Sequence, residues 1–177
     1  NPVRYAFVAT DGPVVMFDFH SCGHLSDERP LVDEVRHAVS WFYFESGDEE
    51  PNHAAKWAAE LADLAKAHGG GNNRIAIDKC DPLGVYLLEQ LGLDVTVRQD
   101  FTEHARRIKH PEELKAMRRT FNATEVAMAE MLHPTEPGLT ENQVWAILHK
   151  ANIERGCEWI ETRLLASGPP TNPLFHE

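Results

Sequence analysis

Arg107 to Trp145 reads RIKHPEELKAMRRTFNATEVAMAEMLHPTEPGLTENQVW, and this stretch decides the fold. It predicts two helices with a turn between them. The first opens at His110-Pro111-Glu112-Glu113. Proline suits the first helical position because its missing N–H would be unpaired there anyway. The two glutamates face the positive end of the helix dipole. Leu114, Met117, Phe121, Thr124, Met128 and Met131 recur at steps of three and four, which lays one apolar stripe along the helix. Pro134 and Glu136-Pro137-Gly138 end it. The second helix starts at Thr140, with Gln143 three residues on, the pattern of a capping box. Val144, Ile147, Leu148 and Ala151 form its apolar face and Gly156 closes it.

The chain has 177 residues, enough for one domain or a domain and a half, and a formal charge of −11. That charge argues against nucleic acid and anionic membrane surfaces as partners. No apolar run has the length of a transmembrane helix, and no signal peptide is evident. Cys22, Cys80 and Cys157 are far apart and odd in number, so neither a zinc knuckle nor a disulfide framework is expected. A reducing cytoplasm is the simplest setting.

Upstream of the helix pair the pattern is α/β. Val3–Ala9 and Val14–Phe19 are β-rich runs around Asp11-Gly12, a hairpin signal. If extended, His20-Ser21-Cys22-Gly23-His24 would set His20, Cys22 and His24 on one side like a ligand set, though no further ligand is evident. Leu31–Ala38 reads as a strand. Trp41-Phe42-Tyr43-Phe44 reads as a strand buried on both faces, with the alternative that one ring meets a neighbouring subunit or a cationic ligand. Ala54–His68 is an amphipathic helix, with Ala58, Leu61, Ala62, Leu64 and Ala65 on its apolar face. Gly69-Gly70-Gly71 follows a helix and lacks GK[ST], so it is not a phosphate loop. Arg74–Asp78 is a short buried strand, Asp81-Pro82 starts a helix to Leu91, Val95–Val97 is a strand, and Phe101–Arg106 is a helical turn. This βαβ order predicts a mixed, largely parallel sheet covered by helices.

After the helix pair, Trp159–Ala166 alternates like a strand with one wet face, and Glu161 and Arg163 on it could form a salt pair. Ser167–Pro173 is a loop. Two helices and one strand do not close a core. The expectation is therefore a fragment of a longer protein, with exposed apolar faces between residues 109 and 166 and marginal solubility.

Ile108-Lys109-His110-Pro111-Glu112-Glu113-Leu114, Pro137-Gly138-Leu139-Thr140-Glu141 and Ser167-Gly168 resemble the pita-bread metalloenzymes, the family of Xaa-Pro aminopeptidase, prolidase, methionine aminopeptidase and creatinase. The resemblance implies a creatinase-like N-terminal domain over 1–107, missing its first elements, and the start of an α+β pita-bread domain over 108–177. His68-Gly69-Gly70-Gly71-Asn72, Ala76-Ile77-Asp78-Lys79 and Glu158–Pro169, EWIETRLLASGP, are most similar to the dimethylsulfoniopropionate lyase branch. The chain departs from that branch at Pro170, Leu174 and His176, where the branch has Arg, Trp and Gln.

This resemblance implies a β-elimination that gives dimethyl sulfide and acrylate. The alternatives it leaves open are an Xaa-Pro dipeptidase or aminopeptidase, a creatinase-like enzyme, and a non-catalytic binding or dimerisation module. The family's divalent metals (iron, manganese, zinc or cobalt) are held by Asp, Asp, His, Glu and Glu downstream of the Ser-Gly loop. The fragment is thus expected to bind no metal and to be inactive alone, while its parent takes a small molecule or short peptide and forms a homodimer. Trp41, Tyr43 and Trp159 are the candidate substrate-binding aromatics, suited to a sulfonium cation. His176 is the candidate substrate or oxyanion contact in the peptidase reading.

Overall fold

The computed structural model describes residues 3–161 and 164–172. The chain divides into two compact units, Asn1–Arg107 and Ile108–Glu177.

The first unit begins with a hairpin, β1 Tyr5–Val8 and β2 Val14–Asp18, paired antiparallel. The register sets Tyr5 opposite Phe17, and their rings stack at 4.4 Å. Such cross-strand aromatic pairs are a main source of sheet stability. A third strand, β3 Glu34–His37, runs parallel to β2 and forms the other edge. The helical turn α1 Tyr43–Ser46 and the long helix α2 Glu50–His68 follow. Then come β4 Arg74–Ile77, α3 Pro82–Gln90 and β5 Asp94–Val97, a parallel βαβ unit, and finally α4 Gln99–Arg107. Among the described residues two of the three strand pairings are parallel, but the strands make two separate sheets, β1-β2-β3 and β4-β5, where the sequence suggested one.

The core is built on α2. Ala54, Trp57, Ala58, Leu61, Ala62, Leu64 and Ala65 are buried, the face read from the periodicity. Against it lie Val15 and Phe17 from β2, Trp41, and Leu88 from α3. Strand β4 is not fully buried as expected. Ile75 and Ile77 are half-buried while Arg74 and Ala76 are exposed, because RIAI alternates and only one face is covered.

The aromatic run is the larger correction. Trp41–Phe44 is not a strand. Phe42 caps a helical turn, its carbonyl accepting from the Glu45 and Ser46 amides at 3.0 Å and from Ser46 Oγ at 2.9 Å. A helical turn fans successive side chains around its axis, so one run cannot bury them all. Trp41 alone enters the core at 1% exposure, while Tyr43 is 65% and Phe44 94% exposed.

In the second unit, α5 Pro111–Leu132 and α6 Glu141–Glu154 pack on each other. Both N-termini carry capping boxes, from His110 with Glu113 and from Thr140 with Gln143. Ala127, Ala151 and Asn152 are buried here. The apolar stripe of α5 is left bare, with Leu114, Met117, Phe121 and Met128 all exposed. The strand expected over Trp159–Ala166 does not form among its described residues, 159–161 and 164–166. A strand exists through pairing, and the described residues of this unit offer no strand to pair with. Arg163, and with it the proposed Glu161–Arg163 pair, lies outside the described residues.

Candidate functional site

The segment after α6 carries the candidate site in the second unit. Trp159 is 79% exposed, and its indole N–H donates to Glu161 Oε2 at 3.2 Å. Glu161 therefore orients the indole.

Beyond it, the loop Ser167–Asn172 is exposed yet well held. Gly168 sits at φ +68°, ψ −143°, a conformation open essentially to glycine only. A 3₁₀ turn, Pro169–Thr171, follows, and both the amide and hydroxyl of Thr171 donate to the Gly168 carbonyl, at 3.1 and 2.7 Å. At the loop's entrance the Ser167 amide donates to Glu141 Oε1 at 2.5 Å. Glu141 is the first residue of α6. In the sequence it stood out only within the Pro137-Gly138-Leu139-Thr140-Glu141 run that carries the family resemblance, since a contact 26 residues away leaves no local signal. His176 lies outside the described residues.

An open groove of about 640 Å³ runs between α5 and α6, lined by Val126, Glu130, His133, Ile147, Lys150 and Glu154 among others. Arg155 bridges the two helices by pairing with Glu130.

In the first unit the structure separates the two aromatic candidates. Trp41 packs on Trp57, ring centroids 5.3 Å apart, and belongs to the core. Tyr43 stands in solvent with its hydroxyl donating to Asp48 at 3.3 Å. Beside it the exposed Phe44 stacks on Phe42, 6.1 Å and 11° apart. Glu45, Asp48, Glu49 and Glu50 surround these rings in sequence.

His20, Cys22 and His24 do not form the extended ligand row. Ser21 has φ +67°, Gly23–Leu25 is a 3₁₀ turn, and the His20 ring lies on Phe19 at 4.2 Å. The positive φ and the tight turn break the alternation that a one-sided row needs. Among the described residues no group of three His, Cys, Asp or Glu could hold a metal ion.

Shifted ionisations mark structural pairs. The Arg98 guanidinium, hydrogen-bonded at 2.7 Å, holds the Asp100 carboxyl down at about 2. Arg36 likewise lowers Glu34. Burial pushes the Tyr5 phenol and the Cys80 thiol up.

No protein-family model matches the chain. The curated proteins that it resembles are lyases by name. It is 43% identical over 182 aligned residues to dimethylsulfoniopropionate lyase DddP of Roseovarius nubinhibens, and 42% identical to the enzyme of that name from Roseobacter denitrificans. Each alignment takes in all of this chain and 41% of the relative, so the chain spans about two fifths of the length of the curated relatives it matches. Among the described residues, no helix is long and apolar enough to cross a membrane.

Proposed function

We propose that the full-length protein to which this chain belongs is a dimethylsulfoniopropionate lyase. The observation that carries this reading is identity of 42–43% along the entire chain to two lyases of that name. The EWIETRLLASGP run and the loop held by Glu141 fall within the matched length.

In the reaction a base removes a proton from the carbon next to the substrate carboxylate. The carbon–sulfur bond breaks and its electron pair leaves on sulfur. Dimethyl sulfide, acrylate and one proton result. The substrate is a zwitterion, and its sulfonium end suits an aromatic face. Trp159 and Tyr43 are the exposed candidates for that contact, each within its own unit. Trp41, buried against Trp57, is assigned to the core instead. The base and the divalent metal (iron, manganese, zinc or cobalt) are placed by this reading on side chains outside residues 3–161 and 164–172.

The same reading takes the two units as a creatinase-like N-terminal domain and the start of a pita-bread catalytic domain, in a cytoplasmic homodimer. The exposed Tyr43 and Phe44, the latter stacked on half-buried Phe42, support a subunit contact. Light scattering on the full-length protein tests the dimer, and a monomer mass would remove it. Headspace detection of dimethyl sulfide from the full-length protein, set beside cleavage of an Xaa-Pro dipeptide, tests the activity.

A further inference from the structure

We propose that the bare stripe of α5 is a self-complementary seam that takes a second copy of this chain, the two α5 helices running antiparallel. The proposal does not rest on the lyase reading.

Leu114, Met117, Phe121, Thr124, Met128 and Met131 follow one another at alternating steps of three and four. That is the a/d spacing of a helix that pairs with another helix, a narrower stripe than a helix lays on a broad core. Helix α5 has 22 residues and a length of about 33 Å, so the seam runs along most of it. Leu114, Met117, Phe121 and Met128 are between 38% and 58% exposed, Thr124 is exposed and Met131 half-buried. The Thr124 hydroxyl donates to the Thr120 carbonyl at 2.9 Å, so it asks for no partner across the seam. Helix α6 meets α5 elsewhere: Ala127 is buried and Glu130 pairs with Arg155 just past α6, both off the stripe.

The charges beside the stripe point to what covers it. With Leu114 at an a position, Arg118 and Glu125 are successive e positions. Both are exposed, and among the described residues neither has an ion-pair partner. When two copies of α5 meet antiparallel, Phe121 of one faces Thr124 of the other, Met117 faces Met128 and Leu114 faces Met131. The same register brings Arg118 beside Glu125 of the partner subunit, and Glu125 beside the partner's Arg118. A two-fold axis makes both pairs at once, each copy supplying the ion that the other needs. Flanking charges of this kind set partner and orientation more than they add affinity. The seam is short and holds one Thr, so pairing depends on concentration and a dilute chain keeps the stripe bare.

The test reverses each charge in the full-length protein: Arg118→Glu, Glu125→Arg, and both together. Sedimentation velocity over a concentration series at low salt gives each dissociation constant. Native mass spectrometry with one variant isotope-labelled identifies mixed dimers. Each single reversal puts two like-charged contacts in every dimer. It should raise the dissociation constant about tenfold, the scale of two exposed ion pairs turned repulsive, with the circular dichroism unchanged. The double variant should return to wild-type strength. So should an equimolar mixture of the two single variants, as a heterodimer. Failure of the mixture to recover overturns the proposal, since a segment of the same chain lying on the seam gives no rescue by mixing. So does a wild-type monomer at every concentration. A wild-type dimer that neither reversal weakens also overturns it, and leaves the contact to Tyr43 and Phe44. Weakening by Arg118→Glu alone would mean parallel helices, with Glu113 as the partner of Arg118, and overturns the antiparallel seam.

Discussion

Trp41 and Trp57 pack with ring centroids 5.3 Å apart, tilted by 49°, and the room for both is left by Gly84. A Cβ at Gly84 would stand 3.0 Å from Trp41 Cζ2, 3.0 Å from Trp57 Cζ3 and 2.6 Å from Cys80 Sγ. The helix gains from alanine in propensity are smaller than such an overpacking cost. Gly84→Ala should destabilise the first unit by about 1–3 kcal/mol, read as a lowered urea midpoint. A raised midpoint would show that the tryptophan cluster has slack.

Asp18 is the buried charge of the first unit, at 1% exposure. Its Oδ1 lies 2.5 Å from Arg4 Nε, too poorly aligned for a hydrogen bond, and its Oδ2 accepts from the Ser26 hydroxyl. Arg4 is half exposed, so water screens its attraction. Asp18→Ala leaves buried Ser26 without its acceptor and should cost about 1–3 kcal/mol. Asp18→Asn keeps an acceptor for Ser26 and should cost less. Equal loss in the two variants would mean that charge, not the hydroxyl contact, governs the site.

Arg98 holds Asp100 down at about 2, below the ordinary 3.8. For a depressed carboxyl the stabilising contribution is complete above the unfolded value. It is lost as pH falls from about 4 toward about 2. NMR titration of the Asp100 carboxyl should give a midpoint near 2, rising toward 3.8 in Arg98→Gln. An unmoved midpoint in the variant would exclude the guanidinium as the cause.

Phe121 is 58% exposed on the bare stripe of α5. The 177-residue chain should therefore bind an apolar dye such as ANS. Phe121→Ser should reduce that binding and change the stability of this chain by no more than about 0.5 kcal/mol, as surface substitutions usually do. A large loss of stability would mean that Phe121 is packed rather than bare.

Features with local causes were legible in the sequence. Pro111, Thr140 with Gln143, and the Asp11-Gly12 hairpin act within a few residues, and each is found where its pattern placed it. The face of α2 was legible because burial repeats with the helical period. What failed depended on distant partners. An aromatic run reads as a buried strand until Ser46 and Gly47 close a helical turn through it. The alternation after Trp159 reads as a strand, but pairing is decided by other segments. The Glu141–Ser167 contact joins two stretches whose spacing in sequence carries no sign of it. In the site, exposure divides Trp41 from Tyr43 and Trp159, which composition alone treated alike.

The most direct measurement is headspace gas chromatography over the metal-supplied full-length protein with dimethylsulfoniopropionate. The account predicts dimethyl sulfide and acrylate in equal amounts, with no cleavage of an Xaa-Pro dipeptide. Dipeptide cleavage without dimethyl sulfide, or neither product, would contradict it.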